Sequence, residues 1–321
     1  MRKSHIKDDV LREICKGKRV SGGLLAAKLG VSRTAVWKAV NALRADGFFI
    51  DGGVDGYMIS PYNTLLCAEQ AEALINAERV YFKESTGSTN EDIKALAEKK
   101  EREFTIVLAR SQTGGKGRLS RSFSSPIGGL YFSVLLRPQL SAQTSLKITT
   151  AAAVAMAKAI EIIANQKTDI KWVNDIYIKG KKVCGILTEG AFDAENGQLK
   201  YAVLGIGVNV ATPKDGFNEE IKDKAGAIFE TSTPPSLVYI FLINEFLREF
   251  KEYYKEIDSM PHIEQYRSRN MLLDKKVTYK KDGKSYTATV CGIGESAELI
   301  VEKDGKKIPL SSGEVRITDY E

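Results

Sequence analysis

The hydrophobic pattern of the first sixty residues predicts three short helices followed by a hairpin. Apolar residues recur at helical spacing in two segments, one before residue 15 and one after residue 32. Between them, Ser21 can cap a short helix that runs to Leu29, and Gly30 can adopt the left-handed conformation that ends it. Ser32 can cap the next helix, and the segment after Gly47 predicts two short strands around glycine turns. The apolar stripes consist of Ile6, Val10, Leu11 and Ile14 in the first helix and of Val36, Ala39, Val40 and Leu43 in the last.

This order of elements is typical of a winged helix-turn-helix unit. Residues 1–60 contain eleven basic and six acidic side chains, a net charge of +5, and the whole chain carries +6. A basic end on a nearly neutral body favours a polyanion such as operator DNA as its partner. The alternative is a small helical interaction module that does not contact DNA, because a solvated basic face has the same composition. The residues predicted to contact DNA are Ser32, Arg33, Thr34, Trp37, Lys38 and Asn41.

The middle of the chain predicts a mixed α/β sheet. Five apolar segments rich in β-branched and aromatic residues are typical of strands, and one long apolar helix separates them. Hairpin-like neighbours with a single long helix favour a mixed sheet over a doubly wound one. A helix over 65–75 is expected to connect this sheet to the N-terminal unit. The predicted strands are 104–109, 129–136, 170–178, 182–189 and 201–210, and the predicted long helix is 145–164.

The last fifty residues predict five short strands. Asp-Gly and Gly-Glu pairs separate them, in particular in "KKDGKS" and "EKDGKK", which favour hairpins. A small SH3-like β-barrel fits this pattern, and its balanced charge makes a role in nucleic-acid binding less favoured. Pro61-Tyr62-Asn63 marks the earlier boundary. We therefore expect a multidomain α/β protein with a winged helix over 1–62, a central domain over 63–268 and a C-terminal barrel over 269–321.

The residue inventory excludes several classes of protein. The sequence has no run of 18 apolar residues and no apolar signal segment at its start, which predicts a cytoplasmic protein without a membrane span. The four cysteines are far apart, so reduced and buried thiols are expected. The two histidines, His5 and His262, lie far apart in the sequence and beside no other candidate ligand, which disfavours a histidine-ligated metal site and a Ser-His-Asp triad.

Four polar stretches are unusual within a sheet-forming sequence. "GSTN" precedes a predicted helix, "QTGGKGR" is a basic loop with three glycines, "KWVND" lies in a strand pattern, and "GKKVCGI" begins a strand. The glycine loop lacks the spacing of a Walker A loop and of a dinucleotide fingerprint. Taken singly, each stretch is compatible with a helix cap or a solvated turn. The later "GIGVNV" is by itself a weak nucleotide signal, because the third glycine is missing.

In this order, the stretches resemble the bifunctional biotin protein ligases, also called biotin operon repressors. The resemblance covers the whole chain and rests on "STN", "QTGGKGR", "SPIGGLYFS", "KWVND", "GKKVCGILTE" and "GIGVNV". It implies a central domain like that of the class II synthetases. It also implies a two-step reaction: biotin and ATP form biotinyl-5′-AMP and pyrophosphate, and the biotinyl group then passes to a lysine of a biotin carboxyl carrier protein.

The resemblance also implies roles for particular residues. Lys182 would be the catalytic lysine, with Arg118 and Asp175 as its partners in the reaction, and Mg²⁺ would arrive with ATP rather than in a site fixed by the protein. The loop over 212–225 would cover the nucleotide. The residues implied for biotin are Ser88, Thr89, Asn90, Gln112, Gly115, Lys116, Gly117, Arg118, Lys182 and Gly185. Those implied for ATP or the adenylate are Arg118, Lys171, Asn174, Asn209 and Phe217.

Three positions depart from the family's pattern. Phe123 stands near the place of a tryptophan, Val173 replaces a proline, and Gly129 replaces an asparagine. Phe123 keeps an aromatic wall, so we expect the site to persist. Two alternatives remain at this point: a biotin-sensing transcription factor with an inactive ligase domain, and a lipoate-type ligase of the same superfamily. The expected partners are the carrier protein, operator DNA and a second copy of the chain in a ligand-induced homodimer.

Overall fold

The computed structural model describes residues 6–138, 144–192, 199–230, 233–281, 284–313 and 315–318. Within these residues it contains an N-terminal helical unit, a seven-stranded mixed sheet with its helices, and a five-stranded C-terminal sheet. His5 and residues 282–283, where "KKDGKS" predicts a turn, lie outside the described residues. No helix in the described part of the chain is both long and apolar enough to cross a membrane.

The N-terminal unit is a winged helix, as predicted. The Ser21 and Ser32 hydroxyls accept hydrogen bonds from the Leu24 and Ala35 amides, so each serine caps the helix that follows it. Gly30 ends the second helix with φ at 65°. Its elements are α1 (Ile6–Ile14), α2 (Gly22–Leu29), α3 (Arg33–Ala45), β1 (Ile50–Gly53) and β2 (Gly56–Ile59).

This unit has a hydrophobic core of its own. The predicted stripes of α1 and α3 are buried together, with Leu25 and Ile50 packed beside them, but the prediction is wrong for Ile6, which is exposed at the first turn of α1. Burial of one leucine such as Leu43 contributes roughly 2 kcal/mol relative to exposure. The strands β1 and β2 pair antiparallel with Ile50 opposite Ile59, which forms the wing. Cys67, from the start of the next helix, also belongs to this core.

The central sheet is mixed, with the strand order β3-β4-β5-β9-β8-β7-β6. Only the pair of β3 and β4 is parallel among its described neighbours. The strands are β3 (Arg79–Lys83), β4 (Thr105–Ala109), β5 (Leu130–Leu136), β6 (Asp169–Lys171), β7 (Asp175–Ile178), β8 (Lys181–Phe192) and β9 (Leu199–Val208). The helices are α4 (Ala68–Leu74), α5 (Thr89–Glu98), α6 (Thr144–Ala164), α7 (Ser236–Lys255) and α8 (Ile263–Arg267).

Three features of the central sheet differ from the sequence prediction. The single strand expected over 170–178 is wrong: the segment forms β6 and β7, which pair antiparallel across a turn at 172–174. The connector helix is shorter than predicted, because Leu65, Leu66, Cys67 and Ile75 lie outside α4. The sequence analysis did not find β3, which pairs with a strand more than twenty residues away, nor the long α7, which packs against α6.

The C-terminal segment forms five strands, as predicted, in an antiparallel sheet with the order β13-β12-β11-β10-β14. Its buried residues continue the hydrophobic core of the central sheet: Val290 and Leu299 belong to the same cluster as Phe132 and Ile186. Trp172 links the two parts further, since its Nε1 donates to Ala297 O at 2.9 Å. The strands are β10 (Lys276–Lys281), β11 (Lys284–Ile293), β12 (Leu299–Lys303), β13 (Lys306–Leu310) and β14 (Val315–Ile317).

The cysteines and His262 occupy mostly buried positions. Cys15, Cys67 and Cys184 are buried thiols, as expected, but the expectation is wrong for Cys291, which is exposed. Cys291 lies on β11, where alternate residues face outward. His262 is fully buried, with Nε2 2.9 Å from the hydroxyl oxygen of Thr150.

Candidate active site

A cleft of about 180 Å³ opens over the middle of the central sheet. It lies between β8 and β9 below, the start of α5 at one end, the β6–β7 turn at the other, and the loop 112–123 above. The C-terminal sheet adds Gly313 and Val315 to its wall. The predicted site residues that line it are Ser88, Thr89, Asn90, Gln112, Lys116, Gly117, Arg118, Lys171, Asn174, Asp175, Lys182 and Gly185.

Glycines on neighbouring strands form the floor of this cleft. Gly185 on β8 lies directly opposite Gly207 on β9, and the Phe123 ring rests on both. A Cβ atom on Gly207 would lie 2.4 Å from that ring, and one on Gly205 would lie 2.2 Å from Asn90 Oδ1. Side chains here would therefore fill the cleft. The "GIG" residues 205–207, which the sequence analysis treated as a weak nucleotide signal, lie within β9 and do not form a phosphate-binding loop.

The glycine-rich loop folds over the cleft as a flap. Gly114 N donates to Gly87 O at 2.8 Å, and Phe123 N donates to Gly115 O at 2.8 Å. A Cβ atom on Gly115 would lie 2.4 Å from Phe123 O, so only glycine allows the two arms of the flap to come this close. At its tip, Leu119 and Ser120 both have positive φ, at 56° and 59°.

The charged end of the cleft is built by the β6–β7 turn and the start of β8. Lys182 Nζ lies 2.7 Å from Asp175 Oδ1 and 5.7 Å from the centre of the Phe123 ring. Arg118 of the flap donates from Nη1 to Asn174 Oδ1 at 3.3 Å and from Nη2 to Gly313 O at 3.0 Å. A lysine paired with a carboxylate and an arginine bonded to the preceding residue, Asn174, thus share one end of the cleft, an arrangement suited to an anionic group that reacts.

The uncharged end of the cleft is a hydrogen-bonded cluster at the start of α5. Thr89 N donates to Gln112 Oε1 at 2.9 Å, and Gln112 Nε2 donates to Ser125 Oγ at 2.9 Å. Asn90 Nδ2 donates to Glu189 Oε2 at 2.6 Å. Ser88 precedes the helix without a side-chain capping bond. Ser88 thus occupies the N-cap position without using its hydroxyl as a cap, so its side chain stays available for a ligand.

Two predicted cations differ in their surroundings. Lys116 lines the cleft, but its ammonium lies 2.6 Å from the carboxylate of Glu91 and the side chain is half exposed. Lys171, at the end of β6, also lines the cleft beside Trp172. Lys116 would have to leave Glu91 to contact a ligand carboxylate directly.

Three predicted site residues do not line this cleft. Gly115 shapes the flap from behind, as described above. Asn209 donates from Nδ2 to Gly226 O at 3.0 Å and to Lys182 O at 3.4 Å, so it holds the backbone at the start of β8. Phe217 lies in the loop 212–225, which reaches β8 through a hydrogen bond from Lys182 N to Lys224 O at 2.8 Å. Their roles toward a nucleotide stay predictions.

The sequence analysis missed several residues that shape the cleft. Gly205 and Gly207 were quoted only as part of a nucleotide-like pattern, although their spacing of two on a strand predicts that they share a face. Glu189 belongs to a quoted motif, but its partner Asn90 is 99 positions away. Gly313 and Val315 come from the C-terminal sheet, and no local pattern connects them to the cleft.

The described residues contain no group of three histidine, cysteine, aspartate or glutamate side chains that could hold a metal ion. Among the described residues that line the cleft, Asp175 is the one carboxylate. A Mg²⁺ ion typically needs only one or two protein carboxylates when phosphate oxygens supply its other ligands. The donor set therefore fits a cation that enters with a phosphate substrate.

The winged helix presents the predicted polar face outward. Arg33, Thr34, Trp37 and Lys38 of α3 are exposed, and Asn41 is half-buried. The indole of Trp37 is 56% exposed, which is unusual for so large an apolar side chain and favours a contact surface. The buried stripe of α3 fixes this face away from the core.

Comparison with known proteins finds two family models that match separate parts of the chain. Residues 81–209 match the model of the biotin/lipoate A/B protein ligase family, and residues 7–58 match a model described as an HTH domain. The bifunctional ligase/repressor BirA of Bacillus spizizenii is 36% identical over 219 residues, which cover 66% of this chain and 67% of the relative. The Escherichia coli protein of the same name is 26% identical over 320 residues, 96% of either chain.

A solved structure supports this assignment. Biotin protein ligase from Aquifex aeolicus, in complex with biotin and ATP, superposes with a TM-score of 0.63 at 25% identity and covers 75% of this chain and 100% of its own. The chain belongs to the biotin/lipoate A/B protein ligase family.

Proposed function

We propose that the chain is a biotin protein ligase that also binds operator DNA as a repressor. The observation that carries the ligase function is the arrangement of one cleft. Lys182, Asp175 and Arg118 lie at its charged end, and Thr89, Asn90 and Gln112 lie at its uncharged end, across a glycine floor. Biotin has the same polarity, with a carboxylate at one end of an apolar chain and a urea ring at the other.

The first step joins two anions. A carboxylate oxygen of biotin forms a bond to the α-phosphorus of ATP, the bond from that phosphorus to the bridging oxygen breaks, and pyrophosphate leaves. Lys182 stabilises the negative charge that accumulates on the phosphorus oxygens, and Asp175 holds its ammonium in place at 2.7 Å. Arg118 adds a second positive charge from the flap. Asp175 would offer one oxygen ligand to the Mg²⁺ that accompanies ATP, and this cation would supply further charge neutralisation when bound.

The second step needs no charged nucleophile from this chain. The neutral amine of an acceptor lysine attacks the acyl carbon of the mixed anhydride, the bond from that carbon to the phosphate oxygen breaks, and AMP leaves. The amine loses one proton, for which Asp175 is the carboxylate in the cleft. The acceptor that fits is a biotin carboxyl carrier protein, since it presents such a lysine. The intact pair of Lys182 and Asp175 argues against an inactive, purely sensing domain.

Incubation with ATP and either biotin or lipoate tests this function. Pyrophosphate release with biotin, and far less with lipoate, is the expected result. Release with lipoate alone would replace biotin with lipoate as substrate, and release with neither acid would refute the ligase function.

The DNA-binding function rests on the exposed face of α3. Its cations and Trp37 suit phosphates and base edges in a major groove. Winged helices of this size read paired half-sites, so we also propose that biotinyl-AMP favours a homodimer that presents two such faces. Sedimentation and operator binding with and without biotin plus ATP test this coupling. An operator affinity that does not respond to the adenylate would refute the coupling and leave the ligase function intact.

A further inference from the structure

Behind the uncharged end of the cleft, a buried chain of hydrogen bonds ends on a carboxylate. Ser133 on β5 is fully buried, and its hydroxyl oxygen lies 2.6 Å from Asn90 Oδ1 and 2.7 Å from Thr89 Oγ1. Asn90 Nδ2 donates to Glu189 Oε2 at 2.6 Å. The other oxygen of Glu189 accepts from Lys94 Nζ at 2.8 Å. The chain thus runs from Glu189 through Asn90 and Ser133 to Thr89, which lines the cleft.

The carboxylate fixes the direction of every bond in this chain. Glu189 only accepts, so the Asn90 amide must turn Nδ2 toward it and Oδ1 toward Ser133. The Ser133 hydroxyl has one proton, and Asn90 Oδ1 cannot donate, so that proton lies between Ser133 and Asn90. The contact of 2.7 Å between Ser133 and Thr89 then needs the proton of the Thr89 hydroxyl.

Thr89 Oγ1 is also 3.2 Å from Gln112 Oε1, but that oxygen already accepts from Thr89 N at 2.9 Å. If the Thr89 hydroxyl donated to Gln112, no proton would lie between the Ser133 and Thr89 oxygens, and their lone pairs would repel each other. With its proton committed to Ser133, the Thr89 hydroxyl offers only a lone pair to the cleft.

We propose that Glu189 is a positioning residue that makes Thr89 Oγ1 a hydrogen-bond acceptor for a substrate N–H group. The inference rests on the proposed function, because the urea ring of biotin carries two N–H donors. The dithiolane ring of lipoate carries none. A buried acceptor that must be satisfied by substrate discriminates strongly against a ligand without a donor. Glu189 therefore acts on the choice of substrate, through Asn90 and Ser133, without contacting it.

Replacement of Glu189 by glutamine keeps the shape of the side chain but allows the hydrogen bonds between residue 189 and Thr89 to reverse their direction, so it tests the proposal. In Glu189→Gln, the Lys94 ammonium can donate only to the amide oxygen of residue 189, so the amide nitrogen of that residue faces Asn90. Asn90 then turns its own oxygen toward residue 189, its Nδ2 donates to Ser133, and the Ser133 proton moves to Thr89. The Thr89 oxygen then accepts from Ser133, and its own proton turns to the cleft or to Gln112 Oε1 at 3.2 Å, which already accepts from Thr89 N; both arrangements weaken acceptance from the urea N–H.

The expected effect is a rise in KM for biotin of roughly 10- to 100-fold, with kcat within about twofold, because one buried hydrogen bond is inverted. Two biotin analogues, each methylated on one urea nitrogen, serve as probes. For the analogue that lacks the N–H facing Thr89, wild type and variant should have similar KM values. Glu98→Gln is the matched control: Glu98 ends α5 and pairs with Lys200 at 2.8 Å, outside the cleft.

An unchanged KM for biotin in Glu189→Gln, or an equal rise for biotin and both methylated analogues, would overturn the proposal and leave a merely structural role. If Glu189→Gln does not fold, Thr89→Val keeps the branched shape and removes the proposed acceptor itself, and it should raise the KM for biotin and not that for the probe analogue. Unchanged biotin KM in folded Thr89→Val also overturns the proposal. Failure of the proposed function is recognised separately, since wild type would then release no pyrophosphate with biotin.

Discussion

The winged helix and the C-terminal sheet are joined to the central domain in different ways. The winged helix buries its own core, and Asn63 is a main link: its Oδ1 accepts from Phe49 N at 3.2 Å and its Nδ2 donates to Ser236 Oγ at 3.3 Å. The C-terminal sheet instead shares the core of the central sheet and contributes Gly313 and Val315 to the cleft. The C-terminal sheet thus shares one hydrophobic core with strands that are far away in the sequence. The winged helix directly precedes the central domain in the sequence but has a separate core.

Removal of residues 269–321 should have the largest effect. It exposes the face of the central sheet that packs on Val290 and Leu299, removes the acceptor of the Trp172 indole N–H, and removes the carbonyl that holds Arg118. We expect complete loss of pyrophosphate release and loss of cooperative unfolding, measured by assay and by circular dichroism. A folded and active fragment would show that the two sheets are independent.

Acid should destabilise the central domain before the winged helix. Burial lowers the pKa of His262 to about 4, from about 6.5 in the unfolded chain. The unfolded state therefore binds the extra proton between these values, and stability falls as the pH drops from 6.5 to 4, by at most about 3 kcal/mol.

Denaturant unfolding of wild type and His262→Gln across this range measures the effect. The variant should lose less stability on acidification, and only in the transition of the central domain. Identical pH slopes for the two proteins would contradict the role of His262.

Removal of residues 1–62 should have the smallest effect on catalysis. The boundary near Tyr62 is our proposal, and the separate core of the winged helix supports it. The truncated chain should lose operator binding and release pyrophosphate within about threefold of the full chain. Cys67 and Leu65 lose some of their packing, so a modest loss of stability is expected. A folded but inactive fragment would show that the winged helix supports the active site.

Local chemistry in the sequence predicted much of this structure. Caps such as Ser21 and Ser32 depend on a few neighbouring residues, and so do the stripes of α1 and α3. The motifs likewise identified most residues of the cleft that carry charge or amide groups, although they missed Arg121. Its glycine floor needs the register that sets Gly185 opposite Gly207, and Glu189 acquires its role only where the fold brings Asn90 to it. These pairings are not local, so no window of sequence contains them.

The most direct test of the account compares two adjacent lysines at the start of β8. Lys182 lies in the cleft against Asp175, whereas the exposed side chain of Lys181 donates to the carbonyl of Asp223 outside it. Pyrophosphate release from biotin and ATP should fall by roughly 100-fold or more in Lys182→Ala, because a positive charge at the phosphorus is lost. It should stay within about twofold of wild type in Lys181→Ala. Near-normal release by a folded Lys182→Ala protein would contradict the account.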